Sequence, residues 1–326
     1  MNPQFSVIFL TTLIGAGQGL FVALFATELG ELFALLPPPR RPWFYFTGSL
    51  LALLLTGAGL FASFFHLGRP ERAWRSATRW RTSWLSREVI VLPAFMGAVA
   101  LYAAAHFFHA GESLALLPSG APLNATLLLG LAGTLLALTL YVCTAMIYAC
   151  LPFLREWHTP LTVANYMLLG GASGFALAAT YATSAAPALV RFFVLCALAA
   201  TLLGFASRAA TLVRNARLRP KSTLQTAIGI KHPRIVQITQ GFMGGSFNTR
   251  EFFHGRPASF LRSVKWLFLL GAFALPAVLL AAALAGAPPA TIVAAFAVQY
   301  IGLLAERWFF FAQANHPQNL YYQAVA

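Results

Sequence analysis

The stretch His66-Leu67-Gly68-Arg69-Pro70, followed by Glu71, Arg72, Arg75, Arg79 and Arg81 and then by Ser86-Arg87-Glu88, gathers side chains suited to proton chemistry. A neutral imidazole both donates and accepts a hydrogen bond, and a carboxyl group relays a proton. Gly68 with Pro70 behind it reads as a helix stop, which puts His66 in a last helical turn. Ser86 reads as an N-cap, which puts Glu88 in a first turn. A hairpin would then bring His66 and Glu88 to the same end of two helices, under an arginine-rich cap. Those are the parts a quinone headgroup needs: donors to its carbonyl oxygens and a route for protons. The structural alternative is that a histidine at a helix C-terminus and a glutamate near an N-terminus simply suit the helix dipole.

Other residues invite the same question. Glu306-Arg307 lies about five residues from the end of the last apolar run, roughly 7–8 Å deep at about 1.5 Å per residue. An acid inside a membrane is a candidate functional site, and its alternative is an ion pair with one of the many arginines. Gln18, in the middle of the first run, would bond a ligand or, more simply, a neighbouring helix. Glu28 and Glu31 approach the other end, where a solvated helix terminus explains them. The three cysteines, Cys143, Cys150 and Cys196, sit in apolar runs and fall short of the four ligands an iron–sulfur cluster takes, so no metal site is expected in this chain. Haem is not expected either. His66 and His158 belong to one face, His106 and His109 to the other, His232 and His254 to a loop, and His316 follows the last run.

The elements that must position these residues are set by composition. The chain has 326 residues, 59% hydrophobic and 9% charged, with a mean hydropathy of +0.72. Soluble domains carry roughly 25% charged residues, so water is not its main solvent. The fold expected is all-α: one polytopic integral membrane domain over 1–326, with about eight transmembrane helices. The apolar runs lie near 5–26, 43–66, 88–109, 123–150, 162–184, 187–207, 264–286 and 290–311. No Lys or Arg precedes the first, so it reads as a retained helix rather than a secretory signal. Pro37-Pro38-Pro39 ends whatever helix follows the first run. Trp43, Phe44 and Tyr45 stand where an aromatic belt is expected. Gly170, Gly171, Ala172, Ser173 and Gly174 allow close helix packing in lipid.

Lys and Arg total 22 against 8 acids, all glutamate, for a net charge of +14. On a membrane protein such charge reports orientation and anionic lipid rather than nucleic acid. Six basic residues fall in 67–87, one in 151–161 and eleven in 208–265, against Arg40, Arg41 and Arg191 on the other side. Both termini and the His66 face are therefore expected in the cytoplasm. The 208–265 segment is too long for a mere connection and too polar for a core of its own. With Arg250, Phe252 and Phe253 it reads as a partner-docking loop; the alternative is a basic loop lying on lipid.

The residues His66-Leu-Gly-Arg-Pro-x-Arg-Ala, Ser86-x-Glu88, Gln18 and Glu306-Arg307 resemble the membrane anchor subunit family of dimethyl sulfoxide reductase. The resemblance implies a chain that is not itself catalytic for the substrate. It would hold a molybdopterin catalytic subunit and a four-cluster iron–sulfur subunit, which carry those cofactors. Electrons would pass between the nearest cluster and ubiquinone or menaquinone, as in anaerobic respiration. His66 and Glu88 match the family's quinol-site histidine and glutamate. Arg69, Gln18 and Glu306 complete the candidate quinone-binding set, while Arg69, Arg72, Arg75, Arg79 and Arg81 would face the iron–sulfur partner. The longer basic loop, the cytoplasmic orientation and the Phe247–Gly255 stretch look more like the anchor of a cytoplasm-facing sulfite dehydrogenase. The alternatives are a reductase-type anchor that oxidises quinol, an anchor without a quinone site, and a transporter. A transporter would show paired broken helices, and the sequence has no internal repeat.

Overall fold

The computed structural model describes residues 1–108, 113–116, 122–220, 222–239 and 247–322. Among the described residues, eight helices are long and apolar enough to cross a membrane: Phe5–Leu32, Phe44–His66, Trp84–Phe107, Ala125–Ala149, Pro160–Ala185, Pro187–Ala216, Ala258–Leu284 and Ala290–Ala312. In lipid every backbone amide must find its partner within the chain, and a helix satisfies them all inside one segment. The elements used below are α1 (Phe5–Leu32), α2 (Phe44–Ser63), α3 (Trp84–Phe107), α4 (Ala125–Ala149), α5 (Pro160–Ala185) and α6 (Val190–Ala216). After them come the short extramembrane helices α7 (Leu224–Ile228) and α8 (Phe247–Glu251), then α9 (Ala258–Phe268), α10 (Leu275–Leu284) and α11 (Ala290–Ala312). A π-helical turn, Leu269–Ala274, joins α9 to α10.

The expected all-α membrane fold is the fold observed. Its one non-helical element among the described residues is a small antiparallel hairpin, β1 (Ser113–Leu116) with β2 (Pro122–Asn124), in the α3–α4 connection. The helix ends differ from the expected ones in two informative places. α1 continues past Ala26 to Leu32, because Glu28 and Glu31 are taken up by Tyr102 and Tyr45 instead of ending in water. The proline run therefore lies in the α1–α2 connection rather than closing a further helix. α6 continues past 207 to Ala216, because Arg208 is neutralised inside the bundle by Glu306. The connection after it is accordingly shorter than 208–265, and Arg208 is not one of its basic residues.

Helix α1 is the centre of the bundle, with 72% of its apolar window buried, against 28–56% in the other seven spans. Small residues let α5 reach it. A Cβ on Gly174 would stand 2.2 Å from the carbonyl carbon of Gly19, and one on Gly19 would stand 2.4 Å from the oxygen of Gly170. Only hydrogen at those positions lets the two backbones touch, which is the main way helices attract in lipid. Gln18, next to Gly19, lines one cavity with Gly170 and Ser173 of α5.

Candidate functional site

The hairpin between α2 and α3 is built as its sequence suggests, with one change of cap. His66 ends a 3-10 turn, Phe64–His66, and a second 3-10 helix, Pro70–Arg79, starts on Pro70. Ser83, not Ser86, caps α3: its side chain accepts the N–H of Ser86 at 3.3 Å. Glu88 therefore sits in the second turn and points inward. His66, Arg69, Arg72, Arg75, Arg79 and Arg81 are all exposed. Trp74 and Trp80 are 67% and 53% exposed, with Arg75 and Arg81 stacked against them. Arg87 lies 4.1 Å over Trp84 and donates to the Trp80 and Arg81 carbonyls, which turns its charge away from Glu88.

Glu88 is buried and accepts a hydrogen bond from Thr144 Oγ1 at 2.5 Å. Among the described residues, no Lys or Arg comes within 4 Å of its carboxylate. It lines a cavity of about 20 Å³ between α1, α3, α4, α5 and α11, together with Gln18, Tyr141, Tyr166, Ser173 and Arg307. A water needs roughly 10–15 Å³ and several polar partners, so this space suits a water and is several times too small for a quinone ring. Gln18 Nε2 donates to the Ala137 carbonyl at 2.9 Å, and Tyr141 donates to the Gly15 carbonyl at 2.7 Å. These bonds tie α4 to α1 around the cavity.

Glu306 is placed differently. Arg208 Nε lies 2.8 Å from its Oε1, and Arg307 Nε lies 3.4 Å from its Oε2. The Arg208 guanidinium lies over Phe268 and Phe309, and that of Arg307 lies 3.8 Å over Tyr166. Glu306 is thus held in an ion triad and does not line the cavity; its neighbour Arg307 does. Of the five candidate quinone-site residues, the fold joins Glu88 and Gln18 in one cavity. It leaves His66 and Arg69 at the surface and locks Glu306 into the triad.

Two further clusters are present. Toward the other end of the bundle, Tyr102 donates to Glu28 at 2.7 Å, Tyr45 donates to Glu31, and His106 stacks on Tyr45 at 4.5 Å. These glutamates are not the solvated helix end expected of them. His109 lies outside the described residues. On the basic side, Phe252 stacks on His316 at 3.8 Å, Asn319 donates to the Phe252 carbonyl, and Phe253 meets Tyr322 edge-on. The Phe252–Phe253 pair is therefore packed against the chain's own C-terminal segment, while Arg250 stays exposed. Burial pushes the His254 and His316 imidazoles below their ordinary range, and each accepts a backbone N–H at Nδ1, from Arg256 and Gln318. No group of three or more His, Cys, Asp or Glu gathers as a metal site among the described residues.

Sequence reasoning missed Thr144, Tyr141, Tyr166 and Arg208. Tyr141 and Thr144 come from α4, Tyr166 from α5 and Arg208 from α6, and no local spacing links them to Glu88 or Glu306.

Residues 1–305 match the family model described as DMSO reductase anchor subunit (DmsC). A sulfite dehydrogenase subunit from Allochromatium vinosum is 56% identical over 327 residues, an alignment that covers 100% of this chain and 100% of that one.

Proposed function

This chain belongs to the DMSO reductase anchor subunit family, and on that premise we propose that it is the quinone-reactive membrane anchor of a sulfite-oxidising molybdoenzyme. An iron–sulfur subunit and a molybdopterin subunit would dock on its basic face, at the Trp74/Trp80 and arginine platform of the α2–α3 hairpin. Exposed tryptophan set among arginines suits both a membrane interface and a protein contact. The lean to sulfite rests on the full-length likeness to the Allochromatium vinosum protein. The positive-inside count supports a cytoplasmic basic face in a bacterial inner membrane.

The chemistry follows from what this chain's own side chains can do. Quinone becomes quinol by taking two electrons and two protons. The electrons come from the iron–sulfur partner, which draws them from sulfite as it is oxidised with water to sulfate. We assign the headgroup to the exposed end of α2, where His66 donates to a carbonyl oxygen and Arg69 flanks it. Glu88 supplies protons from behind through the water-sized cavity, with Thr144 fixing one carboxylate oxygen. Gln18 shapes the cavity wall, and Glu306 belongs to the bundle's own support. Phe21 packs edge-on against Phe95 and against Tyr102, the residue that donates to Glu28.

The observation that carries the reading is Glu88: a buried acid with no Lys or Arg within 4 Å among the described residues, lining a water-sized cavity at the base of the arginine hairpin. Gentle solubilisation and affinity capture of the tagged chain tests it. Molybdenum with about sixteen iron atoms per complex, as four four-iron clusters imply, together with sulfite-dependent quinone reduction, is the expected result. A chain captured alone, without metal, would contradict it.

A further inference from the structure

Four charged side chains are buried among the described residues: Glu88, Arg208, Glu306 and Arg307. Three of them form the triad, two cations around one carboxylate, with a net charge of +1. The fourth, Glu88, lines the same cavity as Arg307. The buried charges therefore sum to zero only while Glu88 is ionised, and to +1 when it holds a proton.

The groups that face this space can be taken helix by helix. α1 contributes Thr11, Thr12 and Gln18, none of them titratable. α3 contributes Glu88 alone, since Arg87 is turned onto Trp84. α4 offers Tyr141, Cys143 and Tyr148, and Tyr141 is committed to the Gly15 carbonyl. α5 offers Tyr166, whose ring lies under the Arg307 guanidinium. α6 brings Arg208 and α11 brings Glu306 and Arg307, with Arg208 reaching only Glu306. Of the charged groups, Glu88 and Arg307 alone line the cavity, with opposite signs.

Resting on the quinone-anchor reading, we propose that Arg307 is a positioning residue for proton transfer at Glu88. Its guanidinium is clamped between Glu306 Oε2 and the Tyr166 ring, and Arg208 holds the other oxygen of Glu306. The clamp keeps a positive charge at the cavity wall. That charge sets the pH range in which Glu88 takes a proton from the basic face and hands it on toward the quinone. Between two buried side chains such a charge is less screened by salt than one at the surface.

The test uses the intact complex with its partners and follows sulfite-dependent reduction of a short-chain quinone against pH, with a dye acceptor as control. Arg307→Gln removes the charge and keeps a hydrogen-bonding side chain. The limb of the pH profile that Glu88 controls should move to higher pH by about one unit, a tenfold change in proton affinity, while dye-coupled turnover stays unmoved. Arg307→Lys should move it by less than half as much. In a Glu88→Gln background, Arg307→Gln should leave the pH profile where it was. If Arg307→Gln alone does not assemble, adding Glu88→Gln should restore assembly, because it removes the carboxylate left uncompensated. An unmoved profile in an assembled Arg307→Gln complex, or no rescue by Glu88→Gln, overturns the proposal. Full quinone turnover in Glu88→Gln alone would instead overturn the quinone-anchor reading beneath it.

Discussion

Replacing Glu306 by Gln separates a structural acid from a quinone ligand. The exchange keeps the shape and a hydrogen-bonding head but deletes the single carboxylate between Arg208 and Arg307. Two buried guanidinium groups are then left without a counter-charge. Breaking a buried ion pair from one side costs about 3–5 kcal/mol, and cation–π contacts to Phe268, Phe309 and Tyr166, worth about 0.5–2 kcal/mol each, are already present before the change. On the scale of roughly 2–4 °C per kcal/mol for a 150–250-residue domain, the unfolding midpoint should fall by about 6–20 °C. Cys143 provides the readout. It is buried, whereas Cys150 is exposed and Cys196 is partly exposed in the folded chain, so thiol labelling on heating reports separation of the helices at Cys143 in a Cys150→Ser, Cys196→Ser background. Partner capture and both activities should fall together. A Glu306→Gln complex that keeps its unfolding midpoint and its dye-coupled turnover, yet loses quinone turnover, would refute the assignment of Glu306 to support.

Three other outcomes follow from the geometry. Gly174→Ala places a methyl carbon against the Gly19 backbone and should destabilise the bundle by about 1–3 kcal/mol as α1 and α5 are pushed apart, whereas Gly171→Ala, whose Cβ meets nothing within 4 Å, should be close to neutral in the same thiol assay. The C-terminal segment around His316 should dock more weakly in acid. Its folded imidazole, like that of His254, sits below the unfolded value of 6.5, so the undocked state binds more protons and docking is full above about pH 6.5 and weakens as pH falls through that range. Hydrogen exchange at residues 313–320, corrected for intrinsic rates, checks this, and His316→Asn should flatten the dependence. Charge reversal at Arg79 and Arg81, both exposed, should lower capture of the partner subunits while leaving the unfolding midpoint unchanged.

The eight spans were legible because each is an apolar run long enough to cross lipid, and nothing in such a run competes with a helix. The ends of α1 and α6 were not, because a charge at the edge of an apolar run reads as the start of water. Glu28 and Arg208 instead find partners on helices distant in sequence and Glu31 finds Tyr45 on the next helix, and the spans extend to carry them inside. The site followed the same division. The hairpin around His66 and Glu88 is local and could be read from Gly68, Pro70 and a serine cap, although the cap expected at Ser86 is Ser83 in the structure, three residues earlier. The companions of Glu88 come from α1, α4, α5 and α11 and leave no shared spacing. Phe252 and Phe253 looked like docking aromatics because the segment that covers them lies more than sixty residues further along the chain.

The most direct measurement is the ratio of quinone-coupled to dye-coupled sulfite oxidation in a purified Glu88→Gln complex. Glu88 forms no ion pair within 4 Å among the described residues, and glutamine keeps an oxygen to accept from Thr144, so removing its proton chemistry should leave the fold, the partners and dye reduction in place. The account predicts quinone turnover reduced by roughly 10²–10⁴-fold, the range of a lost general acid or base, with dye turnover within twofold of the parent. Equal loss of both activities, or none of either, would contradict it.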